Sequence, residues 1–598
     1  MRSGATTTKS SERKTLPGRY HAFAVSSRGN ATQAKQPLAS LMLGQRKHNA
    51  NAGIMRETKL YPLPSTMMEV PLTIRWIFEH AMRTHPHREL ISRDLDGSIT
   101  RITFAEFGER VAQLAHALTK LGVAPGDRVA SFATNTHRHL ELYYAVPMIG
   151  AVLHTVNIRL PADQLAWMFE HANDLFICAD LPLVPLARAA CERLDRPPQI
   201  VAMSPATMEL PDGLSYEHLI AQEPTVFQWP DLDERSAATL CYTSATTGLP
   251  KGVLFSHRSQ FLHAFAALLP DALGVHERDS LLMIVPMFHV NAWGSPFAAL
   301  LCGASLVMPG VQMDSASLID LIERESVSMS IGVPTVWLGI RDYLQAQNKR
   351  LPTLQRIVIG GSALPPKLYD DLTELGIQTI HAWGMTEMSP IGTISRTTNA
   401  MALQPVHRQR QALLSQGVFS PIVAAKLLDD TRKEVAHDGR SIGTLWVRGF
   451  AVTGSYYRAE SDATSFCDGY FCTGDIGTLD EFGYFTIIDR AKDLVKSGGE
   501  WISSVDVENT IMGHPGVVEA AVVGITHPKW QERPLALVVA RENANIDEAA
   551  IREWLSDKLA KWWIPDQVIF IDAIPRSGTG KFLKRDLRER FKDVYAKC

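Results

Sequence analysis

The segment with the clearest chemistry is Tyr242-Thr-Ser-Ala-Thr-Thr-Gly-Leu-Pro-Lys-Gly252, in which four hydroxyl side chains precede a glycine, a lysine and a second glycine. Hydroxyls and backbone N–H groups donate hydrogen bonds to phosphate oxygens, and the ammonium of Lys251 adds positive charge. The spacing differs from that of a Walker A loop, which reads GxxxxGK followed by serine or threonine. The segment therefore predicts a phosphate-binding loop of another type, and a plain surface loop is the alternative interpretation.

The elements that must position this loop follow an alternating pattern of helices and strands. Apolar residues at 107, 111, 114, 118 and 121 predict one buried face of a helix, which Gly122 ends. A strand is predicted over Arg128–Phe132, and short β-rich runs follow at 306–308, 328–332 and 356–359. Helical stretches separate these runs, so we expect parallel strands in α/β layers.

A change of pattern near residue 490 indicates a second, smaller domain. The predicted strand at 484–488 runs into a charged joint at 489–493, and a compact α+β pattern of about a hundred residues follows. Ser503 and Asp506 have capping-box spacing at the start of one helix, and apolar residues at 551, 555, 559 and 562 mark another. We therefore expect a large domain at 56–489 and a small domain at 490–598.

The overall composition is that of an ordinary soluble globular protein. The chain has 598 residues, too many for one domain, and its net charge of -3 gives no indication of a nucleic-acid partner. The seven cysteines show no metal-ligand spacing and are expected to be reduced thiols. No Asp, Glu, Lys or Arg occurs from 280 to 313, but prolines and glycines interrupt this stretch. We expect a strand, a loop, a helix and a second strand there, and no membrane span.

Residues 1–55 form a basic segment with nine lysines or arginines and a single acidic residue, Glu12. The segment has no apolar periodicity, which predicts a disordered tail. We expect a cytoplasmic protein. An organellar transit peptide is one alternative, and a native start further downstream, at Met42 or Met55, is another.

Six further segments follow one another with residue types that suit chemistry on a nucleotide. They are Pro286-Met-Phe-His-Val-Asn-Ala-Trp-Gly294, Gly360-Gly-Ser-Ala363, His381-Ala-Trp-Gly-Met-Thr-Glu387, Thr473-Gly-Asp475, Asp489-Arg-Ala-Lys-Asp-Leu-Val-Lys-Ser-Gly-Gly-Glu-Trp-Ile502 and Pro575-Arg-Ser-Gly-Thr-Gly-Lys581. With the phosphate loop they resemble the adenylate-forming superfamily: acyl-CoA synthetases, peptide-synthetase adenylation domains and beetle luciferases. The resemblance covers nearly everything after residue 56. It is strongest toward medium-chain fatty acyl-CoA ligases and methylthiopropionate-CoA ligases.

This resemblance implies an α/β fold. A large N-terminal adenylate-forming domain of layered α/β subdomains plus a small β-barrel would be followed by a small mobile α+β C-terminal domain. It also implies an acid–thiol ligase that joins a carboxylic acid, a medium-chain or short fatty acid, to coenzyme A with ATP and Mg²⁺. An acyl-adenylate would be the intermediate. Its formation brings two anions together, so catalysis would depend on positioning and charge neutralisation.

The same resemblance implies a role for individual residues. The expected catalytic residues are Lys581, Thr386, Glu387 and His289, and Glu387 would also hold Mg²⁺. The expected ATP and AMP contacts are Thr243, Ser244, Ala245, Thr246, Thr247, Gly248, Lys251, Gly361, Ser362, Ala363, His381, Ala382, Trp383, Gly384, Met385, Asp475 and Arg490. The expected acyl pocket contains His289, Trp293 and Gly361. The expected coenzyme A contacts are Lys496, Ser497, Gly498, Gly499, Glu500 and Trp501, and Lys492 matches the hinge of the small domain.

Several alternatives stay open at the level of sequence. Trp383 would stack on adenine and Asp475 would accept from the ribose hydroxyls, but a core tryptophan and an ordinary turn aspartate are the simpler interpretations. Ala245 stands where the family usually has glycine, and residues 411–422 differ from the usual Gly/Pro-rich turn. The chain could also be an adenylating enzyme with another acid or a carrier-protein acceptor, or a ligand-binding relative impaired by Ala245.

Overall fold

In a computed structural model of the protein, the described residues are 63, 65–205, 207–208, 213–243, 249–459, 464–498, 500–542, 544–576 and 582–596. The chain divides into two units, Met1–Met68 and Glu69–Cys598, and every helix and strand below lies in the second. The tail expected at 1–55 lies outside the described residues. None of the described helices is both long and apolar enough to cross a membrane.

Helices and strands alternate through most of the chain, as the sequence predicts. Before the phosphate loop come α1 (Ile74–Thr84), β1 (Glu89–Arg93), β2 (Ile99–Thr103), α2 (Phe104–Lys120), β3 (Arg128–Phe132), α3 (His137–Met148), β4 (Val152–Thr155), α4 (Ala162–Ala172), β5 (Asp174–Asp180), α5 (Val184–Cys191), β6 (Gln199–Met203), β7 (Leu214–Ser215), α6 (Tyr216–Ile220) and β8 (Ala237–Tyr242). After it come β9 (Gly252–Ser256), α7 (His257–Leu268), β10 (Ser280–Met283), α8 (Val290–Trp293), α9 (Ser295–Cys302), β11 (Ser305–Met308), α10 (Ser315–Arg324), β12 (Met329–Gly332), α11 (Pro334–Ala346), β13 (Arg356–Ile359), α12 (Pro366–Glu374) and β14 (Gln378–Gly384).

The later elements contain more antiparallel strands. They are β15 (Ile391–Ile394), α13 (Asn399–Ala402), α14 (Val406–Leu414), β16 (Gly417–Phe419), β17 (Val423–Leu428), β18 (Gly443–Gly449), β19 (Phe466–Cys467), β20 (Tyr470–Leu479), β21 (Tyr484–Arg490), β22 (Val495–Ser497), β23 (Glu500–Ile502), α15 (Ser504–Met512), β24 (Val517–His527), β25 (Gln531–Ala540), α16 (Glu548–Ser556), β26 (Gln567–Phe570) and α17 (Lys584–Arg590).

Over the described ranges these strands form three sheets. A seven-stranded sheet has the order β7-β6-β5-β3-β4-β8-β9 and is parallel except for its last pair. A 14-stranded sheet joins the parallel strands β14-β13-β12-β10-β11-β1 to antiparallel strands from β15 to β21. The family resemblance implies a small β-barrel in this region. Its antiparallel strands continue the parallel sheet, because β15 is hydrogen-bonded to β14. A five-stranded sheet of β22 to β26 belongs to the small C-terminal part.

Local sequence patterns predict several of these elements closely. Four of the five apolar positions predicted for α2 are buried in the main core, and β3 has the predicted bounds. Thr103 caps α2 in a capping box with Glu106. The uncharged stretch at 280–313 contains β10, α9 and β11, as expected. Helix α16, in contrast, ends at Ser556, so positions 559 and 562 lie beyond it.

The sheet order explains why the chemical motifs converge. Strands β10, β12, β13 and β14 are parallel, so their carboxyl ends share one edge of the sheet. The segments that begin at 284, 360 and 385 leave the sheet at this edge. Ligands of open α/β sheets bind outside the carboxyl ends of the strands. The fold therefore places three of the predicted motifs at one possible binding site.

Candidate active site

A cavity of about 460 Å³ lies among residues that follow β8, β13 and β14. It brings together many of the predicted site residues: Thr243, Lys251, His289, Trp293, Gly361, Ala382, Trp383, Gly384, Met385, Thr386, Glu387, Arg490 and Lys492. Predicted residues 244–248, Gly499 and Lys581 lie outside the described residues, and only the backbone of Glu500 is described. The cavity thus joins both ends of the phosphate loop to the other motifs.

The two ends of the phosphate loop are paired with each other and tied to α4. The Thr243 N–H donates to the Lys251 carbonyl at 2.9 Å, and the Lys251 N–H donates to Thr243 Oγ1 at 3.2 Å. The Tyr242 hydroxyl lies 2.7 Å from His171 Nδ1. Burial, with a smaller effect of Arg458, lowers the pKa of His171, so its neutral ring can accept this bond at pH 7. The loop therefore leaves the sheet from fixed ends.

Asp475 is a buried carboxylate that contacts two other predicted nucleotide residues. It accepts from Trp383 Nε1 at 3.0 Å through Oδ2, and from Arg490 Nε at 3.0 Å through Oδ1. Arg490 is its cross-strand partner in the β20–β21 pair, and the Asp475 charge raises the pKa of that guanidinium. Trp383 lines the cavity and also packs on Phe485, with ring centroids 5.8 Å apart, as a core tryptophan would. The three side chains form one connected group.

Glu387 lies on another part of the cavity wall, beside a tyrosine that the sequence patterns did not single out. Its side chain is buried, and the Tyr456 hydroxyl donates to Oε1 at 2.7 Å. The Lys251 ammonium lies 4.5 Å from the centroid of the Tyr456 ring. No spacing rule connects Tyr456 with either charged residue, because the contacts depend on how distant segments pack.

The groups around Glu387 suit Mg²⁺ that is bound together with a nucleotide. Mg²⁺ is commonly held by one or two carboxylates plus phosphate oxygens. Glu387 supplies one buried carboxylate, and Thr243 and Thr386 place hydroxyl groups on the same cavity. This donor set fits a metal that completes its coordination with phosphate and water.

The segment from His289 to Gly294 has an unusual backbone. Four consecutive residues, Val290 to Trp293, have φ between 45° and 55°, and Gly294 continues the turn at 74°. The Trp293 ring lies against the glycine pair that follows β13. A Cβ on Gly360 would lie 3.0 Å from Trp293 Cη2, and Gly361 has φ of +83°. The predicted acyl-pocket residues His289, Trp293 and Gly361 are therefore neighbours on the cavity wall.

Four predicted nucleotide contacts, Ser362, Ala363, His381 and Asp475, are not among the described residues that line the cavity. The His381 ring is buried, and its Nδ1 lies 2.8 Å from the Ser415 carbonyl and 3.1 Å from that of Leu414. Burial lowers its pKa. The His381 side chain thus connects β14 with the end of α14.

The described residues of the predicted coenzyme A segment are also not among those that line the cavity. They form the hairpin of β22 and β23, where Gly498 has φ of +61° and a Cβ would lie 2.9 Å from the Trp530 ring. Ser497 accepts from Arg533 at 3.1 Å, and the Lys496 ammonium lies 4.8 Å from the Trp501 ring centroid. Trp501 and Trp530 are both exposed. The hairpin thus presents aromatic and basic groups to solvent.

A buried polar cluster joins the end of β21 to the small C-terminal part. Asp489 accepts from the backbone N–H of Ser504, at 2.7 Å, and from its hydroxyl, at 2.5 Å. The Lys584 ammonium donates to Ser504 Oγ at 2.6 Å and pairs with Glu508 at 2.8 Å. Burial raises the pKa of Asp489, and that of Glu508 to about 7. The cluster connects the strand before Lys492 with the helix that follows Lys581.

Comparison with known proteins agrees with these motifs. The pattern of the AMP-binding enzyme family matches residues 78–457, and that of the AMP-binding enzyme C-terminal domain matches 506–581. The chain is 43% identical over 533 residues to a 3-methylmercaptopropionyl-CoA ligase of Ruegeria lacuscaerulensis, covering 88% of this chain and 99% of that protein. It is 42% identical over 534 residues to a medium-chain-fatty-acid–CoA ligase of Ectopseudomonas oleovorans, covering 88% and 97%.

A solved structure supports the same assignment. The crystal structure of ATP-bound MatB from Rhodopseudomonas palustris has a TM-score of 0.75 with this chain at 28% identity, and covers 88% of this chain and 100% of that one. The family pattern covers more than half of the chain, and a large N-terminal part precedes a small C-terminal one. The chain therefore belongs to the AMP-binding enzyme family, as its motifs predict.

Proposed function

We propose that this enzyme is an AMP-forming acyl-CoA ligase that activates a medium-chain or short fatty acid with ATP and transfers the acyl group to coenzyme A. One observation carries the proposal. A single cavity joins the ends of the phosphate loop, the Glu387 carboxylate and the Trp293 side chain. Groups suited to a triphosphate and to an acid are therefore within one site.

The nucleotide occupies the part of the cavity near Asp475. Trp383 presents an aromatic ring for the adenine, and Asp475 can accept hydrogen bonds from the ribose hydroxyls. The Trp383 N–H and Arg490 hold the Asp475 carboxylate in place. Thr243 and Lys251 face the phosphates, because hydroxyl and ammonium groups donate strong hydrogen bonds to anionic oxygens.

The first half-reaction needs charge neutralisation and alignment. The acid's carboxylate attacks the α-phosphorus, the bond to the β-phosphate breaks, and pyrophosphate leaves with its electron pair. Glu387 would hold Mg²⁺, which supplies positive charge against the phosphate oxygens. Lys251 adds a fixed charge at the cavity wall, and Lys581, proposed from its motif, would bring a second ammonium to the reacting carboxylate.

The acid enters beside His289 and Trp293. The indole ring against Gly360 and Gly361 gives the pocket an apolar wall, which favours an alkyl chain. The names of the two relatives compared above, a 3-methylmercaptopropionyl-CoA ligase and a medium-chain-fatty-acid–CoA ligase, support short and medium acids.

Coenzyme A approaches along the β22–β23 hairpin in the second half-reaction. Its thiol attacks the acyl-adenylate, the thioester forms, and AMP leaves. The backbone at Gly498 offers a narrow passage for the pantetheine arm, and Lys496 with the exposed Trp501 offers charge and an aromatic surface for the nucleotide end. Lys492 remains the proposed hinge, and Ser362, Ala363 and His381 remain proposed nucleotide contacts through their backbone.

We place the enzyme in the cytoplasm. In the described part of the chain, no disulfide bond joins any of Cys178, Cys191, Cys241, Cys302, Cys467 and Cys472. Reduced thiols suit a reducing compartment.

The proposal is tested by measuring pyrophosphate release with a panel of straight-chain acids and 3-(methylthio)propionate, each with and without coenzyme A. We expect release with short or medium acids and thioester formation only when coenzyme A is present. Pyrophosphate release without any thioester would indicate a different acceptor, such as a carrier protein. Absence of both products with every acid would indicate a ligand-binding relative.

A variant separates the two half-reactions. Lys581→Ala should abolish acyl-adenylate formation and spare thioester formation from supplied acyl-adenylate, since the ammonium acts only in the first step. The neighbouring Lys584→Ala, which removes a buried ion pair with Glu508, should instead lower stability. Equal losses in both half-reactions of Lys581→Ala would contradict the assigned role.

A further inference from the structure

Tyr456 lies between the two charged side chains on the phosphate side of the cavity. Its hydroxyl donates to Glu387 Oε1 at 2.7 Å, and the Lys251 ammonium lies 4.5 Å from its ring centroid. Phe466 and Phe471 pack against the ring edge to face, with centroids 5.8 and 6.3 Å away. One side chain therefore contacts both charged groups and is itself held by aromatic packing.

The backbone around Tyr456 is tied to the same two segments. The Thr453 N–H donates to the Glu387 carbonyl at 2.8 Å. The Tyr457 N–H donates to the Gly252 carbonyl at 2.8 Å, next to Lys251. The main chain before the ring is thus hydrogen-bonded to Glu387. The main chain after the ring is hydrogen-bonded to Gly252, the neighbour of Lys251. The position of the ring relative to both charges is set by the backbone.

A phenol has properties here that a charged or aliphatic residue lacks. Its O–H fixes one carboxylate oxygen without neutralising the carboxylate, so the other oxygen keeps its lone pairs for a cation. Its ring face attracts an ammonium without forming an ion pair. Lys251 and Glu387 both line one cavity, and the ion pairs of the described ranges do not include one between them. Opposite charges gain Coulomb energy when they pair, so a residue that contacts both can keep them apart.

We propose that Tyr456 is a positioning residue that keeps Lys251 and Glu387 apart, so that the ammonium serves the triphosphate and the carboxylate serves its metal ion. The inference rests on the proposed function, because it takes ATP and Mg²⁺ as the ligands of this cavity. It adds a residue of the 453–457 segment to the machinery of the first half-reaction.

The first test compares ATP binding by calorimetry with Mg²⁺ and with EDTA, in the absence of acid and coenzyme A. In Tyr456→Phe the ring remains under Lys251 but the hydrogen bond to Glu387 is lost. We expect the gain in ATP affinity caused by Mg²⁺ to fall about tenfold, the size of one lost hydrogen bond to a charged group. ATP affinity in EDTA should stay unchanged.

Tyr470→Phe is the matched control. Tyr470 also has a lysine over its ring, with the Lys426 ammonium 4.1 Å from the centroid, and it lies outside the cavity lining. This variant should bind ATP as the wild type does in both conditions. Equal losses with and without Mg²⁺ in Tyr456→Phe would show a merely structural role, and no loss in either condition would overturn the proposal.

A second variant tests the separation of charges. Tyr456→Leu removes the ring face, so Lys251 should pair with Glu387 and ATP affinity in EDTA should fall. Glu387→Gln should raise ATP affinity in EDTA more in Tyr456→Leu than in the wild type, because in the wild type it relieves only the repulsion between the carboxylate and the phosphates, whereas in Tyr456→Leu it also frees Lys251. An equal rise in the two backgrounds would refute the separating role. A wild type without any Mg²⁺-dependent ATP binding would instead contradict the proposed function itself.

Discussion

At the residue scale, Asp475 shows how one side chain connects the parts of the proposed nucleotide site. It is almost fully buried and accepts hydrogen bonds from Trp383 and Arg490 through its two oxygens. A buried carboxylate of this kind is stable only when its lone pairs are used. Trp383 and Arg490 each contact one oxygen of Asp475, and the acceptance of hydrogen bonds from a ribose stays a prediction.

Asp475→Asn tests this residue without changing its shape. An amide has one acceptor oxygen where the carboxylate has two, so either the Trp383 N–H or Arg490 loses its partner. We expect unfolding by urea to show a loss of about 1–3 kcal/mol, and calorimetry to show about tenfold weaker ATP binding.

Asp429→Asn is the control for Asp475→Asn, because Asp429 lies in an exposed turn outside the cavity. Its ATP affinity should equal that of the wild type. Unchanged ATP binding in Asp475→Asn, alongside lowered stability, would assign Asp475 a structural role alone.

At the scale of elements, the turn from Val290 to Trp293 has four consecutive residues with positive φ beside the site. L-residues in left-handed helical conformation cost roughly 1–2 kcal/mol each, and such strain is concentrated where function needs it. The packing of Trp293 against Gly360 is one contact that compensates for it. The turn thus sets the direction of Trp293 at the cost of stability.

Ala292→Gly tests the strain directly. Glycine relieves the left-handed penalty of about 1–2 kcal/mol but loses a buried methyl group, worth about 0.8 kcal/mol, and gains freedom in the unfolded chain. We expect the free energy of unfolding to change by less than about 1 kcal/mol in denaturant titrations. Ala264→Gly, in the ordinary right-handed helix α7 and equally buried, should lose about 2 kcal/mol. Equal losses in the two variants would show that the turn is not strained.

At the scale of the whole molecule, buried titratable groups make stability depend on pH in opposing ways. Burial lowers the pKa of His139 from 6.5 to about 4, so the folded state resists its protonation. Burial raises the pKa of Asp180 from 3.8 to about 6, so the folded state favours its protonation. Both side chains contact Thr134, and Arg138 and Asp94 are the charges near Asp180.

The signs of these two contributions follow from linkage. The unfolded state binds more protons at His139 below pH 6.5, so this residue stabilises the fold above that pH and its contribution is lost toward pH 4. Asp180 contributes most below pH 3.8, and its contribution is lost as the pH rises through about 6. On acidification the histidine therefore destabilises the protein and the aspartate stabilises it.

Two variants should separate these effects in urea unfolding between pH 6.5 and about 4. His139→Gln should reduce the loss of stability on acidification, by about 3 kcal/mol at most at 1.36 kcal/mol for each pKa unit. Asp180→Asn should increase the loss. His407→Gln, at an exposed position on α14, should leave the profile as it is. A shift of the first two variants in the same direction would contradict the assigned burial effects.

The amino-acid sequence by itself determined the features that depend on near neighbours in the chain. The apolar face of α2, the bounds of β3 and the cap at Ser503 follow from the spacing of residues within a few turns. The motifs around Glu387 and Trp383 were visible for the same reason, since each is a short run of specific residue types. Family membership also followed from these motifs and was confirmed by the comparisons.

Only the tertiary structure decided which distant residues meet. Tyr456 contacts Glu387 across 69 positions of the chain, and no periodicity encodes that approach. The antiparallel strands join the parallel sheet because β14 pairs with both β13 and β15. Helix α16 ends at Ser556 although the apolar spacing continues. In each case the local sequence permits several conformations, and packing between distant segments decides which one forms. The contacts around the cavity could therefore not be predicted from residue spacing alone.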